Sequence, residues 1–224
     1  ATVADVTAAF GGELGVATMG ERGPVTAGFA DPTPAWSTMK VPIAVAATRT
    51  QPGLESDVRA AITVSDNEAA GRLFDAVGPD AVDSVLSEAG VPAQVSMADL
   101  RPEFSTFGQT LLSAADEAVL ADSLPCADGS GPVLGYMGQV DASQRYGLGA
   151  VGALFKGGWG PDTAGNYHVR QLGLIPRGDG VWSPVALTAI PADGTYETGQ
   201  AMLTAAATRL AEASPALPAA RCQP

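Results

Sequence analysis

The chain has 224 residues, 46% of them apolar, with a formal net charge of −12 and a pI near 4.3. That is enough chain for one large domain or two modest lobes with a sizeable core, and too apolar a composition for disorder. No apolar run reaches the ~18 residues of a membrane span, and so acidic a surface repels phosphate backbones, which argues against a nucleic-acid partner. In chain order, residues 2–9 read as a short helix, and 12–19 and 23–30 as two strands joined by a turn around "GERG". A helical stretch runs from near Ser37 to about Thr50, with Pro42 as a local irritant. "DNEAAGRLFDAV" (66–77) spaces Ala69, Ala70, Leu73, Phe74 and Val77 along one helical face. Residues 80–90 form another helix, stopped by Gly90. Residues 91–110 read as loop, and 113–124 as a helix with Ser113 as its cap. Beyond residue 150 the character changes to β-type runs at 151–158, 167–176 and 183–191, closed by a helix over 196–213.

Strands at both ends and helices in the middle give an α+β fold. We expect a single domain: an antiparallel sheet flanked by terminal helices, from about 1–34 and 150–224, with a helical lobe from about 35–149. There are two cysteines, Cys126 and Cys222, and one histidine, too few ligands for a zinc site. A Cys126–Cys222 bridge would pin the Pro/Ala-rich tail to the body, contributing roughly 4–5 kcal/mol in the chain-entropy account and favouring an exported protein. Two unrelated buried thiols are the alternative. The chain starts at Ala1 without an initiator methionine, which fits a processed protein, with a lipid anchor ahead of it as one arrangement.

The chemistry-bearing stretch is "AWSTMKVPIA" (35–44). The chain holds two lysines, Lys40 and Lys156, against ten arginines. On a helix Ser37 and Lys40 share a face. Serine needs a base to take its proton, and a lysine of lowered pKa can be that base, whereas arginine keeps its proton in a protein. "VSDNEAA" (64–70) places Ser65, Asp66 and Asn67 at a helix entrance, where such residues also serve as plain caps. "LFKGGWG" (154–160) sets Lys156 at the end of an apolar strand before Gly157 and Gly158, which would let a ligand lie against the strand. A solvated strand-end lysine is the plainer reading.

In this order the three stretches resemble the S-x-x-K, S-D-N and K-T-G set of the serine β-lactamase and penicillin-binding (D,D-peptidase) superfamily, class A β-lactamases in particular. Both lysines fall on motif positions, and the order of strands and helices also matches that fold. The resemblance implies that Ser37 is acylated, that Lys40 is or orients its base, and that Ser65 relays a proton to the leaving group. It implies further that Asn67 holds a substrate amide, that Lys156 with Gly157 and Gly158 faces a carboxylate, and that the backbone N–H groups of Ser37 and Trp159 form an oxyanion hole. No metal or organic cofactor is implied. The resemblance implies a small-molecule or peptide partner, a β-lactam or cell-wall peptide, and we expect a monomer that is extracellular, cell-wall associated or periplasmic.

The departures from the pattern are informative. Gly157 stands where the family has a hydroxyl residue, and Ser65 follows Ser37 sooner than in class A enzymes, which implies a reduced helical lobe. "LRPEFSTF" (100–107) offers Glu103 for the deacylating water, with Phe107 near the place of the usual Asn partner; a plain loop carboxylate is the alternative. His168 and Asp66 read as structural, and Trp36 and Trp159 as core or as cleft walls. Three readings follow: a serine acyl-transfer hydrolase with slow deacylation, a catalytically degenerate binding relative, and an esterase on the same scaffold.

Overall fold

The computed structural model describes residues 2–98, 101–178 and 180–224. Helix α1 (Thr2–Phe10) leads into strands β1 (Glu13–Gly20) and β2 (Gly23–Gly28), a hairpin in which Gly20 pairs with Gly23 across Glu21-Arg22. A two-residue strand β3 (Thr33–Pro34) follows, then helices α2 (Lys40–Thr50), α3 (Glu55–Thr63), α4 (Asn67–Val77) and α5 (Pro79–Ala89). Strand β4 (Leu111–Leu112) pairs with β3 and leads to α6 (Ala114–Ser123) and α7 (Ser130–Met137). Strands β5 (Leu154–Pro161), β6 (Tyr167–Pro176) and β7 (Trp182–Ile190) and helix α8 (Tyr196–Glu212) complete the chain.

The main sheet is antiparallel in the order β2-β1-β7-β6-β5, so the fold is α+β as its sequence implies. Its central join is β1 against β7, where Glu13 pairs with Ile190 and Leu14 with Ala189. Helices cover both faces. Val185, Leu187 and Ala189 of β7 pack with Met202 and Leu203 of α8, while Ala186, between them, packs with the helical cluster on the other face. Such a strand is buried on both faces and reads as a continuous apolar run. Fully burying one leucine of this core contributes roughly 1.5–3 kcal/mol. Among the described residues, no helix is long and apolar enough to cross a membrane.

The chain departs from its sequence reading at four places. Ser37 lies in a 3-10 turn, Trp36–Met39, ahead of α2 rather than inside it. Pro42 is no irritant there, because it falls in the first turn of α2, where a missing N–H breaks no helical bond. Helices α3 and α7 occupy stretches where the sequence suggested none. Strand β5 starts at Leu154, because Gly147–Val151 forms a 3-10 turn, and it runs on to Pro161. The described residues of the 91–110 stretch form the expected loop, broken by a 3-10 turn at Phe107–Gln109 and followed by β4; Asp99 and Leu100 lie outside the described residues.

Cys126 and Cys222 are bridged, with Cα atoms 5.3 Å apart, inside the disulfide range. The tail also docks on its own account. Ala220 N–H donates to Trp182 O at 2.8 Å, and Arg221 N–H donates to Asp122 Oδ1 at 2.9 Å. The bridge therefore clamps a segment that backbone hydrogen bonds already hold.

Candidate active site

Three segments converge at one end of the sheet: the turn before α2, the entrance of α4, and strand β5. Trp36 takes φ 51, a left-handed conformation that costs a bulky residue of the order of 1–3 kcal/mol. Its indole lies against Gly160, where an added Cβ would come within 2.6 Å of the ring. The edge of Phe104 meets it at 5.1 Å. Gly158 makes a second close approach: a Cβ there would sit 2.6 Å from Ala35 O and 2.9 Å from Ser37 N. Ser37's own backbone, not a ligand, fills the space that Gly158 leaves. Gly157 points the other way, toward Tyr146 and Gln171.

Ser65 also has a left-handed backbone, φ 58, and Asp66 next to it caps α4 by accepting from Ala69 N–H at 2.8 Å. This bend turns Ser65 toward both lysines. Lys40 Nζ donates to Ser65 Oγ at 3.1 Å, to Asn67 Oδ1 at 2.7 Å and to the Ser65 carbonyl. Lys156 Nζ donates to the same Ser65 Oγ at 3.0 Å and to Gly157 O at 2.8 Å. Both lysines are buried, Lys40 to 1% exposure and Lys156 to 0%. Burial lowers the Lys40 ammonium from 10.5 to about 8, with Asp66 pulling the other way. Lys156 falls well below its ordinary value, first from burial and then from Lys40. Its sequence reading as a solvated strand-end lysine therefore fails. The hydroxyl of Ser65 accepts from both amines and keeps its own proton for a further acceptor.

A cleft of about 400 Å³ opens beside these groups, and Ser37, Lys40, Ser65, Asn67, Glu103 and Trp159 line it. Lys156, Gly157 and Gly158 do not line it. Trp36, Phe104, Phe107 and Tyr167 supply aromatic wall, and of these Phe104 and Tyr167 escape sequence reasoning. An aromatic at the start of an apolar strand looks like any core residue. Glu103 sits at the rim, its side chain 56% exposed, and Arg101 Nε donates to it at 3.1 Å. Arg101 also donates to Pro161 O, tying the loop to the end of β5.

A buried support lies below the turn. Glu117 of α6 accepts from the Thr38 hydroxyl and lies 2.9 Å from Arg170 Nε of β6. Arg170 also donates to Thr33 O at 2.9 Å and to Leu112 O at 2.9 Å, joining β3 and β4 to the sheet. Burial raises the Glu117 carboxyl, against the pull of Arg170 and Thr38. Nothing in the sequence marks these two residues as a pair. His168 lies on β6, paired with Gly160 and outside the cleft lining, its pKa lowered by burial. Among the described residues, no group of three His, Cys, Asp or Glu side chains is placed to hold a metal ion.

No protein-family model matches the chain, and no curated protein matches it by sequence. Solved structures do. A β-lactamase from Sphaerobacter thermophilus, 20% identical, superposes with a TM-score of 0.75 over 96% of this chain and 97% of its own. A β-lactamase from Chitinophaga pinensis, 15% identical, gives 0.78 over 94% and 97%. The class A β-lactamase from Mycobacterium abscessus, 17% identical, gives 0.73 over 94% and 96%. The fold is that of the serine β-lactamases. Within the β-lactamase fold the cleft lies between strand β5 and the first turns of α2 and α4, with Glu103, Phe104, Ser105, Phe107 and Gly108 as its outer wall.

Proposed function

We propose that the protein is an exported serine acyl-transfer hydrolase of the β-lactamase and D,D-peptidase type, acting on a β-lactam, peptide or ester carbonyl through Ser37. One observation carries the reading. Two buried amines of lowered pKa, Lys40 and Lys156, converge on the single hydroxyl of Ser65 at 3.1 and 3.0 Å, beside a cleft that also holds Ser37. Buried, perturbed groups clustered in a cleft are what acid–base chemistry requires.

In this mechanism neutral Lys40 takes the Ser37 proton, directly or through a water, as Ser37 Oγ bonds to the substrate carbonyl carbon. The backbone N–H groups of Ser37 and Trp159 hold the oxyanion, and Asn67 binds a substrate amide. The tetrahedral intermediate collapses to an acyl ester on Ser37. The bond to the leaving nitrogen or oxygen breaks, and that atom takes the Ser65 proton, which Lys40 or Lys156 restores. A water then attacks the ester, with Glu103 as its base. Glu103 is exposed and bound to Arg101, and Phe107 rather than an amide stands nearby, so deacylation is slow. Lys156 acts through Ser65, since its Nζ is buried away from the cleft. The disulfide supports an oxidising location, extracellular, cell-wall associated or periplasmic.

One observation favours a binding protein without turnover: the three hydrogen bonds that Lys40 donates leave Ser37 out. Intact mass spectrometry after incubation with a fluorescent penicillin and with a fluorophosphonate separates the readings. Adduct on Ser37, lost in Ser37→Ala, supports the enzyme; a folded protein that takes neither label supports the binding reading.

A further inference from the structure

The cleft resembles a catalytic site that has lost its means of holding an anion. Among the described residues that line it, Lys40 is the one cationic side chain, and its hydrogen bonds go to Ser65 and Asn67. The other cations nearby are engaged elsewhere. Lys156 is fully buried against Ser65 and Gly157 O. Arg170 is fully buried against Glu117 and four oxygens of Thr33, Pro34 and Leu112. Arg101 is tied to Glu103 and to Pro161 O. Across from Gly157, which brings no hydroxyl, the sheet places neutral Gln171. Both ends of that amide are bound, to Leu148 N–H at 2.7 Å and to Tyr146 O at 3.0 Å. The charge at the rim is the Arg101–Glu103 ion pair, which offers no net cation, and the whole chain carries −12. A substrate carboxylate entering here meets a chain of net negative charge and no cation free to pair with it.

The walls point the other way. Trp159 stacks on Tyr196 at 5.3 Å, and Tyr167 packs on the same ring at 5.7 Å. Trp36 is held by Gly160 and by the edge of Phe104. These are flat apolar surfaces fixed before any ligand arrives, the kind of wall that binds an aromatic acyl group at little cost in ordering.

We infer that the substrates of this site are uncharged esters and amides with an aromatic acyl group, and that a carboxylate beside the scissile bond is selected against. The inference rests on the reading of Ser37 as nucleophile, and the test separates the two. Acylation of Ser37 is followed by intact mass spectrometry with benzylpenicillin and with its methyl ester, a pair that differs by the charge and one methyl group. Hydrolysis of p-nitrophenyl phenylacetate and p-nitrophenyl acetate, each corrected for the uncatalysed rate, isolates the aromatic group. The expected result is faster acylation by the methyl ester, by about tenfold or more, because a carboxylate that leaves water for a cleft without a free donor is not compensated for its lost hydration. A similar preference is expected for phenylacetate over acetate.

Tyr167→Arg, which adds a cation to the rim, should narrow the penicillin ratio. Equal or faster acylation by free benzylpenicillin, with Ser37 labelled by a fluorophosphonate, overturns the inference and leaves the nucleophile standing. Failure of the fluorophosphonate to label a folded protein removes both. If neither penicillin acylates a labelled enzyme, the aryl esters decide: selective phenylacetate hydrolysis supports the inference, and none overturns it.

Discussion

Replacing Lys40 by arginine keeps the charge and nearly the length of the side chain but removes the ability to lose a proton. Burial lowers the Lys40 ammonium to about 8. Its neutral fraction is then about one-tenth at pH 7 and about nine-tenths at pH 9. If neutral Lys40 takes the Ser37 proton, the rate of Ser37 phosphonylation by an uncharged fluorophosphonate should rise about tenfold between pH 7 and pH 9 and level off above that. Lys40→Arg should lose this rising limb as well as most of the rate. The assay is the time course of the intact-mass adduct across pH 6–10 for both proteins, with circular dichroism to show that each is folded. A wild-type rate that stays flat over this range, or an arginine variant that keeps the rising limb, would refute the assignment of Lys40 as the base.

Stability should follow the same group. Its folded pKa lies below the unfolded 10.5, so the unfolded chain binds the extra proton between about pH 8 and 10.5 and stability rises through that window, by about 3 kcal/mol. Urea titrations of wild type and Lys40→Met at pH 7 and pH 10 read the difference, and Lys40→Met should show a smaller rise, keeping only the part that buried Lys156 contributes. Gly158→Ala should stop Ser37 labelling in a protein that still folds, because its Cβ would sit 2.9 Å from Ser37 N. Glu117→Gln should cost roughly 3–5 kcal/mol in urea, since it leaves the Arg170 charge buried without its partner, and Glu117→Met with Arg170→Met should recover most of it. Reducing Cys126–Cys222 should lower stability by less than the roughly 4–5 kcal/mol of the chain-entropy account, because Ala220 and Arg221 still hold the tail; a thermal melt with and without reductant measures it.

The sequence carried the positions of the sheet strands along the chain and the three motif segments because their signals are local. Apolar runs bounded by Gly, Pro and Asp turns mark β6 and β7, and the spacing of Ser37 and Lys40, the run Ser65-Asp66-Asn67 and the placement of Lys156 can each be read within a few residues. What escaped depends on distant partners. Helix α7, "SGPVLGYM", has glycines and a proline that speak against a helix, and it stands because Val133, Leu134 and Met137 are buried against the core. Helix α3 buries only Val58, Ala61 and Ile62 in a charged stretch. The burial of Lys156 follows from the approach of Ser65 across the sheet edge, and the Glu117–Arg170 pair joins a helix to a strand far along the chain. Neither leaves a mark in the residues around it.

The join of β1 to β7 sets the order in which the molecule can assemble. Glu13 finds Ile190 only after nearly all the intervening chain is available, and Thr18 likewise waits for Pro184. The hairpin of β1 and β2 is marginal alone, as isolated hairpins are in water. The helices between Lys40 and Met137 are contiguous and can collapse early, while closure of the sheet must await the long loop. Ser37 and Ser65 belong to the early-forming part and Lys156 to the late one, so the cleft should acquire its chemistry in the last step of folding. A partly folded chain would then hold the serines without the strand that completes their site, and would be inert toward acylating reagents until the sheet closes.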